Sequence, residues 1–157
     1  MKLVVALLTA TNLFAAIGYA EETNLAWNCM VSCSKGTYPE YAVDGDKNIK
    51  GGHWEAELDS VPCWLEVDLG EIKDIDKIHL YMYWRGADRS YQYYIEVSSD
   101  RTKWKEVVNE RKNTLPSTAE GRVYTFTPTK ARFVRLTVTN NTANQAAHVR
   151  EIEVYGK

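Results

Sequence analysis

The sequence lacks a stretch of ten residues with helical periodicity, and no apolar run beyond residue 20 is long enough to cross a membrane. Its cysteines number only three, and they occur without the CxxC or HxxxH spacing typical of zinc sites. No GxSxG or Cys/His signature of a nucleophilic enzyme is present. These absences argue against a helical fold, a zinc site and a hydrolase of that kind.

The first 20 residues have the features of a secretory signal peptide. Lys2 supplies a positive charge, residues 3–16 are apolar, and residues 18–20 place small side chains at the cleavage position. The alternative is an N-terminal membrane anchor, but the apolar run is short for a span and acidic Glu21 and Glu22 follow at once. We therefore expect residues 1–20 to be removed, residues 21–157 to form one domain, and the protein to be secreted.

The charge of the mature chain disfavours some classes of partner. Without Lys2, 18 basic side chains stand against 21 acidic ones, which is a net charge of −3. No basic cluster stands out. We therefore expect no nucleic-acid partner and no strong attraction to anionic lipid.

Cys29, Cys33 and Cys63 all lie in the mature chain, where export makes disulfides possible. Cys29 and Cys33 are four residues apart in an extended segment, so their Cα atoms would be about 13 Å apart, too far to bridge. Cys63 is therefore predicted to pair with one of them, and the sequence does not choose which. The remaining thiol is either buried and inert, which we favour, or links two chains.

Short β-rich segments separated by turn residues recur along the chain. The clearest is segment 64–71, in which apolar residues alternate with Glu66 and Asp68 until Gly70 stops the pattern. The residues that we expect in the core are Leu65, Val67 and Leu69. The pattern predicts an all-β fold, a single antiparallel β-sandwich with its core between two sheets.

Spaced blocks carry a family resemblance. The sequences AVDGD (42–46), WLEVDLGE (64–71), YYIEVSSD (93–100), ARFVRLT (131–137) and EIEVYG (151–156) occur in this order, after an opening Asn24-Leu-Ala26. Together they resemble the discoidin family, also called coagulation factor 5/8 type C domains, and within it the family 32 carbohydrate-binding modules. The resemblance covers residues 24–156 and implies an eight-stranded jelly-roll sandwich with a galactose-binding-like topology.

Many members of this family hold a structural calcium ion, and the resemblance implies one here. Calcium takes six to eight oxygen ligands, which a tight acidic turn supplies together. Carried onto this chain, the ligands are the carboxylates of Asp44 and Glu151 and the backbone oxygens of Tyr41, Asp46 and Gly52. The family usually has Ser or Thr where this chain has Gly52, so a hydroxyl ligand is missing. The alternative is a plain β-turn, with Glu151 a solvated strand residue.

The resemblance also implies a sugar site at the loops. In galactose-binding members a His near the first-loop Trp and an Arg in a Tyr-x-x-Arg pattern hold the sugar. This points to His53 and Arg85, although His53 precedes Trp54 and Tyr81 is one residue off the spacing. Planar donors and aromatic faces suit sugar recognition. The predicted ligand contacts are His53, Trp54, Arg85, Asp88, Arg89 and Asn144, with Gln145 as an alternative amide.

Several of these residues have a structural alternative. Trp54 and Trp64 are more typical of a core or core edge than of a stacking platform. Trp84 continues the apolar face of a predicted strand, so we expect it in the core. Arg85 and Asp88 could form a surface salt bridge of little energetic weight.

We therefore expect a secreted, non-catalytic carbohydrate-binding module or lectin for galactose-type sugars, with a glycan or glycoconjugate as partner. Adhesion at a cell surface is a fitting role, and a single weak site would favour a homo-oligomer through avidity. A glycosidase needs two carboxylates on either side of a deep cleft. We see no second domain and no long insertion in this sequence that would form such a cleft, so we expect no catalysis. The alternative is an adhesion or interaction module that binds phospholipid or protein, although polar loop tips at 47–52 and 86–90 disfavour lipid.

Overall fold

The computed structural model describes residues 22–48, 50–85 and 88–157, so the predicted signal peptide lies outside the described residues. Within them, no helix is both long and apolar enough to pass through a bilayer. A short 3₁₀ helix spans Pro39–Val43. The strands are β1 (Met30–Cys33), β2 (Trp54–Ala56), β3 (Cys63–Met82), β4 (Tyr91–Ser98), β5 (Lys105–Glu110), β6 (Arg122–Asn141) and β7 (Ala147–Gly156).

The strands are paired antiparallel in the order β2-β7-β3-β6-β4-β5, and β1 pairs with β3. Residues 63–68 of β3 lie between β1 and β6, whereas residues 75–82 lie between β7 and β6. The 20-residue strands β3 and β6 thus pass from one layer into the other. This confirms the predicted antiparallel β-sandwich, with seven strands within the described residues where the resemblance implied eight.

Gly70 bends β3 instead of ending it. Its φ of 82° is a left-handed conformation that costs glycine little, and it lies where the register of β3 against β6 shifts, between Asp68 and Lys73. Beyond this irregularity the strand continues to Met82. Trp84 therefore lies past the strand end and is half-buried, not in the core as predicted.

Segment 64–71 is more completely buried than its alternation predicted. Leu65 and Val67 are fully buried and Leu69 nearly so, which confirms the predicted core face. Glu66 and Asp68, expected on a half-exposed face, are 3% and 8% exposed. Both carboxylates lie beneath arginine side chains from distant parts of the chain.

The predicted disulfide to Cys63 is not formed, because all three cysteines carry free thiols. Cys33 pairs with Leu65 across β1 and β3, so it lies diagonal to Cys63 and not opposite it. Diagonal neighbours are about 7–8 Å apart, too far for a relaxed disulfide. Cys29 precedes β1 at its other end, where its thiol donates to the Leu25 carbonyl at 3.2 Å.

We expect Cys63 to be the slowest of the three thiols to react with iodoacetamide in the native protein. Burial raises the pKa of the Cys63 thiol to about 11, and only the thiolate reacts. Timed alkylation followed by peptide mass spectrometry measures the three rates. In denaturant without reductant all three should alkylate fully, whereas a Cys63 that stays blocked there would show that a disulfide exists.

Candidate functional site

Side chains from separate segments meet at the end of the sandwich where β2 begins, β3 ends and β4 begins. Glu55 on β2 pairs with His148 on β7, and the Tyr83 N–H, just past β3, donates to the His148 carbonyl at 3.1 Å. Backbone pairing therefore fixes which side chains gather here. We call this group the histidine cluster, and its members are His53, Glu55, Tyr83, Arg89, Tyr91 and His148.

Two imidazoles and a tyrosine ring form the centre of the cluster. The ring centroids of His53 and His148 are 5.8 Å apart, and that of Tyr83 is 5.1 Å from His53 and 5.7 Å from His148. One Glu55 carboxylate oxygen lies 3.8 Å from Nε2 of His53, and the other lies 3.8 Å from Nε2 of His148. The arrangement places aromatic faces beside hydrogen-bonding edges.

The buried imidazole of His148 is held in its neutral form. Burial lowers the pKa of His148 to about 4, and the positive charge of Arg89 acts in the same direction. The Tyr91 hydroxyl is 3.0 Å from Nδ1 of His148, and burial raises the pKa of Tyr91 to about 12. Burial also lowers the pKa of His53. Neutral imidazoles carry one donor and one acceptor each, which matches the two-way hydrogen bonding of a hydroxyl.

Arg89 supplies the cationic donor of the cluster. Its guanidinium carbon lies 5.2 Å from the Tyr83 ring centroid, and its buried Nε has no hydrogen-bond partner among the described residues. The next residue, Ser90, donates its N–H to the Thr142 hydroxyl at 2.9 Å and accepts from the Thr142 N–H at 3.1 Å. These bonds hold the loop between β6 and β7 against the segment that carries Arg89.

A cleft of about 400 Å³ opens beside the cluster, between that loop and the chain after β2. The Ala56–Ala147 pair separates the Glu55–His148 pair from the segments that line this cleft, and none of the lining residues belongs to the histidine cluster. A second cleft of about 390 Å³ shares Leu58 and Asp59 with the first. The Leu58 side chain is 67% exposed there. The first cleft is lined by Leu58, Asp59, Asn140, Asn141, Thr142, Ala143, Asn144 and Gln145.

The structure distributes the predicted ligand contacts unevenly. His53 and Arg89 belong to the cluster. Asn144 lines the adjoining cleft, where its Oδ1 accepts from the Asn141 amide at 2.7 Å and so shapes the loop. Arg85 and Asp88 are exposed, on either side of residues 86–87, and the structure does not place them in the cluster.

Trp54 is a core residue, and the prediction that it contacts the ligand is wrong. Its side chain is fully buried, and its indole N–H donates to the Lys35 carbonyl at 3.1 Å. No face of this ring is open to a ligand. Trp64, by contrast, is half-buried under the Arg135 guanidinium, 4.8 Å from its ring centroid.

Sequence reasoning missed Glu55, Tyr83, Tyr91 and His148 as members of the site. The missing information is the pairing of β2 with β7, which brings residue 148 beside residue 55. One signal was present, because His148 interrupts an otherwise apolar start of the last strand. A buried imidazole on a strand calls for a partner, which is Tyr91.

The cluster is chemically suited to recognition of uncharged polar ligands. Guanidinium and imidazole groups donate to hydroxyl oxygens, and the aromatic faces can pack on the apolar side of a pyranose ring. Glu55 is the only carboxylate among its six residues, whereas glycoside hydrolysis uses two. The geometry therefore fits ligand binding.

The predicted calcium ligands come near one another, but they are divided between two faces of β7. Glu151 is fully buried on this strand, not solvated, and both of its carboxylate oxygens lie 3.2 Å from the Gly45 N–H. The carbonyls of Asp46 and Gly52 accept instead from the neighbouring Arg150. Two of the five implied ligands thus face a guanidinium, whereas burial raises the pKa of Glu151 to about 8 and the nearby Asp44 carboxylate acts in the same direction. The remaining predicted ligands are Tyr41, in the 3₁₀ helix, and Asp44, which caps its end.

A family model described as F5/8 type C domain matches residues 28–152. BTB/POZ domain-containing protein 9 of Drosophila melanogaster is 33% identical over 144 residues, which are 89% of this chain and 19% of that protein. The matched regions make up about a fifth or less of the curated relatives.

Solved structures of sugar-binding modules match over almost their whole length. One is chitosan-binding module 2 from a chitosanase/glucanase of Paenibacillus sp. IK-5, in complex with chitotriose. It is 27% identical to this chain with a TM-score of 0.70, and the match covers 100% of the module and 85% of this chain. The CBM32 of AlyQ, in complex with 4,5-unsaturated mannuronic acid, has a TM-score of 0.68 at 24% identity, covering 83% of this chain and 98% of the module. The second likeness concerns the fold alone.

Proposed function

The chain belongs to the F5/8 type C domain family, and on that premise we propose that it is a carbohydrate-binding module whose sugar site is the histidine cluster. One observation carries the proposal. His53, Tyr83, Arg89 and His148 come from separate segments, yet their rings and the guanidinium meet at one end of the sandwich. Convergent polar groups around aromatic faces are the usual composition of such a site.

The similar solved modules support a sugar as the ligand. One of them is held in complex with chitotriose, at 27% identity over its full length. Within the sugar class we propose galactose-type rings, because the resemblance assigns that specificity to a His and an Arg in these loops. Arg89, rather than the predicted Arg85, supplies the guanidinium in this proposal. The module binds without catalysis, and the sequence of residues 1–20 supports export from the cell.

Calorimetric titration of the purified protein tests the proposal. The titrants are galactose, N-acetylgalactosamine and chitotriose, with a glycan array to cover other sugars. We expect saturable binding, tighter for the galactose-type sugars than for chitotriose. The proposal would be contradicted if the protein is correctly folded by circular dichroism and binds no glycan at millimolar concentration.

Replacement of Arg89 by methionine should weaken sugar binding by about 10- to 100-fold, since a hydrogen bond from a charged donor contributes roughly 1.5–3 kcal/mol. Methionine keeps the apolar stem over Tyr83 and removes only the donors. Calorimetry with the best sugar found above gives the ratio of dissociation constants.

Arg111→Met is the matched control for this variant. Arg111 also stacks on a tyrosine, with its guanidinium carbon 3.6 Å from the Tyr94 ring centroid, but it lies past the end of β5 and away from the cluster. Its removal should leave binding unchanged. Equal effects of the two variants would contradict the assignment of Arg89 to the site.

A further inference from the structure

Arg150 is a fully buried arginine in the middle of β7, and its side-chain hydrogen bonds go to the loop that precedes β2. Its Nη1 donates to the carbonyls of Gly51 and Gly52, each at 2.5 Å, and its Nη2 donates to the Asp46 carbonyl at 3.5 Å. A single guanidinium therefore satisfies three backbone oxygens of one loop. Complete burial of an arginine is costly unless its hydrogen bonds are made, and the buried Nε of Arg150 has no partner among the described residues. We therefore expect the bonds to the loop to have a structural role that offsets this cost.

We propose that Arg150 takes the structural role that the resemblance assigns to calcium. Its guanidinium, a cation that is part of the protein, fastens the loop before β2 to the last strand. The carbonyls of Asp46 and Gly52 are two of the five implied calcium ligands, and both accept from Arg150. The guanidinium uses a lone pair of each carbonyl and places a positive charge beside them, so a calcium ion at these oxygens would face a like charge.

The opposite face of β7 completes the attachment of the loop. Consecutive strand residues point to opposite faces, so Glu151 points away from Arg150. Its two carboxylate oxygens accept from the Gly45 N–H at 3.2 Å. Two adjacent, fully buried residues thus hold the loop by its carbonyls on one face and by an N–H on the other, and burial raises the pKa of the Glu151 carboxyl to about 8.

The acidic side chains of the loop are engaged within the loop itself. Asp44 accepts from the Asp46 N–H, and Asp46 accepts from the Asn48 N–H, each at 2.7 Å. These carboxylates therefore cap the turn.

The space beside Gly52 gives a second, independent argument against a calcium ion at this loop. A Cβ atom added there would lie 2.3 Å from the Cδ2 atom of the Tyr41 ring. The serine or threonine that the family usually has at this place would not fit, because the Tyr41 ring fills its space. The missing hydroxyl ligand and the buried Arg150 thus lie at the same loop.

Thermal unfolding with and without calcium tests the inference, and it does not depend on the sugar-binding proposal. Protein stripped with EGTA should have the same melting temperature in EGTA and in millimolar calcium chloride. Terbium, a luminescent calcium analogue, should show no tryptophan-sensitised emission. A calcium-dependent rise of several degrees, or saturable terbium emission, would overturn the inference.

Arg150→Met removes the cation and keeps the apolar stem. We expect its melting temperature to fall by about 10 °C, equally in EGTA and in calcium, because three buried carbonyls lose their donor. The exposed Arg111→Met serves as control and should change little. A loss for Arg150→Met no larger than the control would also overturn the inference, and if the variant does not fold, the calcium titration of the unaltered protein decides alone.

Discussion

Replacement of Glu66 by alanine should lower the free energy of unfolding by about 3 kcal/mol, as expected when one partner of a buried ion pair is removed. The Glu66 carboxylate is 3% exposed and accepts from Arg101 Nε at 2.7 Å and from Arg135 Nη2 at 2.6 Å. The Arg135 guanidinium carbon lies 4.0 Å from the Trp104 ring centroid. Without the carboxylate, this partly buried arginine would keep its charge and lose its partner. Urea unfolding followed by tryptophan fluorescence gives the difference.

Glu106→Ala is the matched control for the Glu66 variant. Glu106 also pairs with an arginine, Arg111, at 2.6 Å, but both side chains are more than a third exposed. Exposed pairs contribute about 0–1 kcal/mol, so this variant should remain near the unaltered protein. If Glu66→Ala costs no more than Glu106→Ala, the buried carboxylate does not stabilise the fold.

The two faces of segment 64–71 show what its sequence could and could not predict. The core position of Leu65 and Val67 follows from local alternation, which repeats within a few residues. The burial of Glu66 depends on Arg101 and Arg135, which are 35 and 69 residues away along the chain. No local pattern contains that information, so the face was expected to be half-exposed.

The candidate site has the same division between local and distant information. His53 was recognisable because it stands beside a tryptophan in a loop that the family uses. His148 comes within 5.8 Å of it only through the pairing of β2 with β7. The calcium ligands were assigned from motif positions, but motif positions do not reveal that Arg150 faces the carbonyls of the loop.

Acidification from pH 7 to pH 5 should reduce the free energy of unfolding by about 2 kcal/mol through His148 alone, at 1.36 kcal/mol per pKa unit. Burial lowers the folded-state pKa of His148 to about 4, below its ordinary 6.5. Between these values the unfolded chain takes up a proton that the folded chain refuses, so stability falls as the pH falls through this range. Protonation would also leave the imidazolium beside Arg89, without an acceptor for the Tyr91 hydroxyl.

His148→Asn isolates this contribution, because the asparagine carbonyl can still accept from Tyr91 and has no proton to gain. The variant should lose most of the dependence on pH between 7 and 5. Burial of His53 acts in the same direction, whereas the Glu55 carboxylate, 3.8 Å from its Nε2, opposes it, so a smaller dependence should remain. Urea unfolding at both pH values measures the slope for each protein. An unchanged slope in His148→Asn would show that His148 is not the group that resists protonation in the fold.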